Sequence, residues 1–164
     1  MLKQALERNP VVIGPALPGD SAAIVASIHR AFTPYRGMLQ PEPSALAETV
    51  QRIEAAMVTG TVLVARRHGR IAGCVSVQQR GDSAYAGRLS VEPDARGIGI
   101  GRALMAEAEM LARHMGAVRL RVDVRLALMR NRAFFRALGF VEGARRRHPG
   151  FASPTYVEME KTLI

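Results

Sequence analysis

The chain has little cysteine, histidine and acidic side chain, and it has no long apolar run. Its single cysteine, Cys74, excludes an intramolecular disulfide and a cysteine-rich zinc site. The four histidines are scattered singly without metal-ligand spacing, which argues against a metal centre. No apolar segment approaches the roughly 18 residues of a membrane span, and residues 1–10 lack the apolar core of a signal peptide. We therefore expect a cytoplasmic protein without a metal or a membrane partner.

The shortage of acidic residues leaves the 164-residue chain with a net charge of +9. The excess is local, because the segment from Arg113 to Arg147 holds ten arginines and only two acids, Asp123 and Glu142. Such a concentration indicates an anionic partner that meets the last third of the chain. The length suits a single domain over residues 1–164, and the hydrophobic content of 48% is ordinary for a globular protein.

Hydrophobic periodicity predicts an α/β (α+β) fold. Strand patterns, either alternating or continuously apolar, cover residues 11–13, 61–66, 71–79, 84–91, 118–124, 140–144 and 155–163. One helical pattern begins near residue 21, and three others cover residues 44–58, 99–115 and 131–138. This order predicts a mixed sheet with helices packed on it.

The most informative segment is a glycine-rich turn between a strand and the clearest helix of the chain. The turn is Arg-Gly-Ile-Gly-Ile-Gly at residues 96–101, and Gly116 ends the helix. A helix N-terminus offers unpaired N–H groups and the positive end of the helix dipole. Glycines let a phosphate approach that backbone, and Arg96 adds a cation at the rim. The turn therefore predicts a pyrophosphate site.

Two familiar phosphate motifs do not fit this turn. A Walker loop needs Lys-Ser/Thr after its last glycine, where Arg102 and Ala103 stand. A dinucleotide fingerprint counted from Gly97 needs a glycine at position 102. The pattern Arg/Gln-x-x-Gly-x-Gly/Ala fits in full, and with it residues 89–104 resemble the acetyl-CoA motif of the GNAT superfamily of N-acetyltransferases. The competing interpretation is a plain helix start with flexible glycines.

The resemblance extends beyond the turn. Residues 131–140, with a Leu-Gly-Phe ending, are similar to the family's second cofactor-side motif, and residues 154–161 resemble its closing strand. The resemblance implies a mixed, mostly antiparallel twisted sheet of about six to seven strands with about four helices, splayed between strands four and five. Acyl-CoA would lie in this gap, its pantetheine arm bonding to the strand backbone. The cofactor-binding residues implied are Leu89, Val91, Arg96, Gly97, Gly99, Gly101, Arg102, Asn131 and Phe134.

The sequence departs from the family pattern at the residue expected to act as an acid. The tyrosine that precedes the Leu-Gly-Phe element in many relatives is Phe135 here, and phenylalanine cannot protonate a departing thiolate. Tyr35, Tyr85 and Tyr156 remain candidate acids, and Glu92 or a water chain remains a candidate base. The catalytic residues therefore stay unassigned.

Two further expectations concern the last helix and its arginines. Asn131, which matches the asparagine of one branch of the family, is interpreted either as the N-cap of that helix or as a cofactor contact. Arg102, Arg132 and Arg136 are the cations nearest the two helix starts in sequence, so we expect some of them to face the phosphates of CoA.

The function that the resemblance implies is transfer of an acetyl group from acetyl-CoA to a primary amine, by direct attack in a ternary complex. Two other hypotheses are a non-catalytic acyl-CoA sensor, suggested by Phe135, and a basic nucleic-acid-binding module, suggested by the arginines. The acceptor, a small molecule or a peptide, is not specified, although Tyr35, Arg36 and Met38 fall in a region that resembles the family's acceptor loop. A homodimer is left open.

Overall fold

The structure, a computed structural model, describes residues 10–164, so the predicted absence of a signal segment falls almost wholly outside the described residues. Within them, no helix is long and apolar enough to cross a membrane. The helices are α1 (Ser21–Phe32), α2 (Val50–Thr59), α3 (Ile100–His114) and α4 (Met129–Ala137). The strands are β1 (Val12–Pro15), β2 (Thr61–Arg67), β3 (Arg70–Arg80), β4 (Ser83–Val91), β5 (Arg119–Arg125), β6 (Val141–Arg146) and β7 (Tyr156–Thr162).

The seven strands form one sheet in the order β1-β2-β3-β4-β5-β7-β6. Every neighbouring pair is antiparallel except β4 and β5, which run parallel. The parallel register joins only Ser83–Tyr85 to Arg119–Arg121, and the two strands separate beyond it. The predicted mixed, mostly antiparallel sheet with four helices and a splay between its fourth and fifth strands is thereby confirmed.

The sheet is buried on both faces at β2 and β3, which explains why these two strands carry continuous apolar runs. Successive residues of β2 alternate between two cores: Leu63 and Ala65 join the cluster around α3, whereas Val62 and Val64 join the cluster around α1 and α2. The helices α1 and α2 therefore lie on one face of the sheet and α3 on the other.

The helix α3 lies close to the sheet because β3 carries a glycine beneath it. A Cβ atom at Gly73 would be 2.6 Å from the carbonyl oxygen of Ser90 and 3.2 Å from Cδ1 of Leu104. Leu104 is fully buried, as is Ala108 one turn later. This close packing fixes the N-terminus of α3 beside the end of β4.

The single helix predicted over residues 44–58 is wrong, because the segment divides in two. A 3₁₀ turn covers Ser44–Ala47, and α2 begins at Val50. Glu48 between them is extended, and its buried carboxylate accepts a hydrogen bond of 2.8 Å from Nε of Arg88. Oγ1 of Thr49 then accepts from the N–H of Arg52 and caps α2.

The last helix begins earlier than the sequence suggests. α4 starts at Met129 with Leu128 as its N-cap, so the interpretation of Asn131 as the N-cap is wrong. Gly139 follows the helix with a φ of +94°, the left-handed conformation that ends many helices. The remaining predicted elements are present, with their ends shifted by a few residues.

Replacing Leu104 with alanine should lower the free energy of unfolding by about 2–5 kcal/mol, because the cavity forms in the core between α3 and the sheet. Met110→Ala is the matched control, since Met110 lies on the same helix and is 55% exposed. Urea denaturation followed by circular dichroism measures both variants. Equal stabilities of the two variants would contradict the packing described here.

Candidate active site

The candidate site is the cleft that opens where β4 and β5 separate. Its cavity has a volume of about 910 Å³ and is lined by β4, β5, the glycine-rich turn, the first turn of α3 and residues of α4. All nine residues predicted to bind the cofactor line this one cavity, from Leu89 on β4 to Phe134 on α4. The structure therefore brings the predicted residues together, while their contacts with CoA stay a prediction.

The glycine-rich turn adopts the backbone that its sequence suggests. Gly97 and Gly99 have φ values of +82° and +91°, a region that side chains with a Cβ rarely adopt. Gly99 is the N-cap of α3 and provides no side-chain hydrogen bond, so the first N–H groups of the helix are uncapped at the cavity. A Cβ atom at Gly101 would make ordinary van der Waals contact with the ring of Phe134, at 3.5 Å.

Arg96 does more than supply charge at the rim of the cavity. Its Nε donates to the carbonyl oxygen of Val91 at 3.2 Å, and its Nη2 donates to that of Ala31 at 2.9 Å. Arg96 thus ties the turn to the ends of β4 and α1. The N–H of Glu92 donates to Ala72 on β3, so the alternation of an extended strand directs the N–H of Val91 away from β3 and toward the cleft.

Of the three arginines near the helix starts, some of which were expected to face the phosphates of CoA, one lines the cavity, and its contact with a phosphate stays a prediction. Arg102 lines the cavity. Arg132 instead forms an ion pair with Glu142, with Nε 2.7 Å from Oε1, and Arg136 lies 3.9 Å from the same carboxylate. Both are drawn toward β6 because Glu142 is the nearest acid. Arg130, which sequence reasoning did not single out, lines the cavity.

The wall of the cavity at α4 is aromatic. Phe135 is 7% exposed, and its ring makes edge-to-face contacts with Phe134 and Phe140 at centroid distances of 5.1 and 5.5 Å. The side chain that stands in place of the family's tyrosine is thus a packed apolar group that lines the cavity without offering a proton.

Glu92, a candidate base, is committed elsewhere. It is 9% exposed, and both of its carboxylate oxygens accept hydrogen bonds from the guanidinium group of Arg30. It does not line the cavity, whereas the candidate acids Tyr35, Tyr85 and Tyr156 do. A paired carboxylate outside the cleft is a poor proton acceptor, so the geometry argues against Glu92 as the base.

Sequence reasoning missed a carboxylate in the cleft. Asp123 on β5 is the one acidic side chain among the described residues that line the cavity, and it lies close enough to Tyr85 for each group to shift the pKa of the other. Burial is the main cause that raises the pKa of Asp123, although Arg121 and Tyr85 oppose it. Burial, reinforced by the charge of Asp123, raises the pKa of Tyr85 to about 12. The only signal in the sequence was that Asp123 stands on the side of the alternating strand that otherwise carries arginines.

A glycine positions Tyr85 beside this carboxylate. A Cβ atom at Gly87 would lie 2.9 Å from Cε1 of Tyr85, so the ring lies across β4 only because Gly87 has no side chain. The guanidinium carbon of Arg80 lies 4.1 Å from the centroid of the same ring. Tyr85 is thus fixed between a cation and the carboxylate of Asp123.

The loop expected to contact an acceptor is only partly at the cleft. Tyr35 and Leu39 line the cavity, but Arg36 does not, and Met38 is 73% exposed away from it. Among residues 10–164, no group of three metal-ligating side chains comes together.

Comparisons with known proteins agree with this geometry. Residues 25–140 match the model of the acetyltransferase (GNAT) family. The fold is similar to PaiA N-acetyltransferase from Thermoplasma acidophilum in complex with coenzyme A, with a TM-score of 0.78 at 18% identity over 93% of this chain and 98% of that one. It is also similar to the ribosomal-protein-S18-alanine N-acetyltransferase from Escherichia coli, with a TM-score of 0.74 at 20% identity over 93% and 94%. The search of curated proteins found no significant match.

Replacing Asp123 with asparagine should lower the pKa of Tyr85, because the negative charge that disfavours the phenolate is removed. The value should stay above the ordinary 10, since burial of the ring persists. Titration of ¹³C-labelled tyrosine by NMR measures the change, and Asp82→Asn serves as a control at an exposed acid paired with Arg119. An unchanged Tyr85 pKa in Asp123→Asn would show that the two groups do not interact.

Proposed function

The chain belongs to the GNAT acetyltransferase family, and from that premise we propose that it transfers an acetyl group from acetyl-CoA to a primary amine in a ternary complex. The observation that carries the proposal is the assembly of one cavity from the glycine-rich turn, the uncapped N-terminus of α3 and the free edge of β4. A helix N-terminus suits a pyrophosphate, and a free strand edge suits the amide groups of a pantetheine arm.

In this proposal each part of the cleft contacts a different part of the co-substrate. The N–H groups from Gly99 to Arg102 bind the pyrophosphate, with Arg102 and Arg130 supplying positive charge. The N–H of Val91 faces the pantetheine arm, and Phe134 packs against it from α4. The acetyl group then lies deeper in the splay, between β4 and β5.

The chemical step needs a neutral amine beside the thioester. The nitrogen lone pair attacks the carbonyl carbon, a C–N bond forms, and the C–S bond breaks. The thiolate leaves and takes up a proton in place of the one that the amine loses, so the products are an N-acetyl amine and CoA. Because Phe135 has no proton to give, positioning and backbone N–H groups supply much of the catalysis, and solvent protonates the thiolate.

An acyl-CoA sensor remains the second candidate function, and the specific observation in its favour is Phe135 packed at the expected position of the acid. Release of free CoA from acetyl-CoA in the presence of a panel of primary amines separates the two functions. Amine-dependent release supports the enzyme, whereas tight binding of acetyl-CoA without release from any amine supports the sensor.

The arrangement of the arginines argues against the nucleic-acid hypothesis. Six of the ten arginines between Arg113 and Arg147 lie within 4.0 Å of a carboxylate: Arg113, Arg119, Arg121, Arg132, Arg136 and Arg146. Three of the other four line the cavity. A coherent, unpaired basic face of the kind that binds a phosphate backbone is therefore not formed by this segment.

Gly101→Asp should weaken CoA binding at least about tenfold more than Gly101→Asn, because the two side chains differ only in charge and the pyrophosphate is anionic. An acid in the first turn favours the helix, so Gly101→Asp should not unfold the protein. Isothermal titration calorimetry measures both affinities. Equal loss of CoA affinity in the two variants would show a steric effect alone and would contradict the binding of an anionic group at this turn.

Arg102→Ala and Arg130→Ala should each weaken CoA binding by about five- to thirtyfold, or roughly 1–2 kcal/mol, because each removes a cation at the cavity. Arg145→Ala is the control, since Arg145 does not line the cavity. Titrations at two salt concentrations, with dephospho-CoA alongside CoA, show which phosphate each arginine meets. Wild-type affinity in both variants would show that these arginines do not serve the cofactor.

A further inference from the structure

The end of the cleft opposite α3 carries charges that the binding of CoA does not use. On β5 the side chains of Val122 and Val124 enter the core around α3, so Asp123 and Arg125 point to the other face, toward α1 and the loop after it. The two residues are about 6.6 Å apart along the strand, at two residues of about 3.3 Å rise each. Both line the cavity. A carboxylate and a guanidinium group therefore lie side by side on one wall.

Arg125 has no carboxylate within 4.0 Å in the part of the chain that the structure describes. Its one protein hydrogen bond runs from Nη2 to the backbone oxygen of Glu42, at 3.3 Å. It is half-buried, and burial lowers its pKa, although the charge of Glu42 opposes that shift from beyond ion-pair distance. A partly desolvated guanidinium group without a directly paired anion is costly, and an anionic ligand would relieve that cost.

The neighbouring charges distinguish Arg125 from the other arginines of the wall. Arg88 on β4 is already paired, through Nε to Glu48 at 2.8 Å and through Nη1 to Ser44. Arg147 and His148 also line the cavity, and burial, followed by the charge of Arg125, lowers the pKa of His148. Among the described residues that line the cavity, Asp123 is thus the one acid beside these cations, with the charges of Glu42 and Glu158 acting from outside the lining.

We propose that the acceptor is a primary amine that carries its own carboxylate, with Asp123 holding the amine and Arg125 holding the carboxylate. The inference rests on the proposed acetyl transfer and names its substrate class. Asp123 takes a proton from the ammonium group, which gives a neutral amine and a protonated aspartate, and the amine then attacks the thioester. The raised pKa of Asp123 favours this transfer, and Tyr85 lies beside the carboxylate.

The same charges disfavour other amines. A polyamine or another polycation would place positive charge against Arg125 and Arg147. A simple alkylamine, or a peptide N-terminus followed by neutral residues, would satisfy Asp123 but leave Arg125 without an anion. The matching chemistry comes either from a free amino acid or from a peptide whose first residues include an acidic side chain.

The test measures acetylation of matched amines by release of CoA from acetyl-CoA. The amines are glycine, β-alanine and γ-aminobutyrate, each compared with its amide, together with two peptides that differ only by glutamate or glutamine at the second position. At least one acid should exceed its neutral partner by about tenfold or more in kcat/KM. The pair that shows the largest ratio distinguishes a free amino acid from a peptide.

Arg125→Gln should abolish that ratio while leaving the Kd for CoA unchanged, because glutamine is neutral and the phosphates bind at the other end of the cleft. Asp123→Asn should instead lower kcat for acid and amide alike. Arg145→Gln is the matched control, being an arginine of the same segment outside the cavity, and should behave as wild type. Melting temperatures show whether each variant is folded.

Binding of the same amines to the protein–CoA complex, measured by calorimetry, keeps the inference testable without turnover. Tighter binding of acids than of amides, with the difference lost in Arg125→Gln, would support the inference even if no amine is acetylated. The absence of acetylation would then count against the proposed transfer and not against the acceptor class. Equal binding and equal kcat/KM for acids and amides, or a ratio that persists in Arg125→Gln, would overturn the inference and leave acetyl transfer standing.

Discussion

The structure depends on how briefly β4 and β5 stay paired. Only residues 83–85 and 119–121 form the parallel ladder, and past that point each strand keeps its outer partner, β3 or β7, but not the other. The inner edge of β4 is therefore free over residues 86–91. This gap creates the cavity, exposes the N–H of Val91 and gives Asp123 and Arg125 access to a ligand. If the ladder continued to Val91, the cavity would not form, the N–H of Val91 would be paired, and Asp123 and Arg125 would lose their access to a ligand.

Close packing on either side holds the gap in place. Gly73 lets α3 approach β3 and β4, and the hydrogen bonds of Arg96 to Val91 and Ala31 fix the turn that leads into the helix. Gly87 allows Tyr85 to lie across β4 and reach Asp123. In each case the absence or presence of one side chain decides where a backbone or a ring lies, so the cleft is built from local steric constraints rather than from a flexible loop.

The sequence predicted best what is encoded within a few consecutive residues. The turn at residues 96–101, the amphipathic stripe of α3 and the alternation of β5 are local patterns of this kind, and the nine residues that the resemblance to the GNAT family implied line one cavity. The failures depended on distant partners. The division of the segment 44–58 follows from the pairing of Glu48 with Arg88, forty positions away. Likewise, the positive charge in the last third of the chain was visible in the sequence, but the pairing of its arginines with acids was not.

The central claim is that CoA binds along the free edge of β4 and at the N-terminus of α3, and amide hydrogen exchange tests it most directly. In the presence of saturating CoA, exchange should slow at Val91 and in residues 99–102, because those N–H groups gain acceptors, and should stay unchanged across β6 and most of β7. Slowed exchange confined to the outer strands, or none in residues 89–102 despite measured binding, would contradict the account.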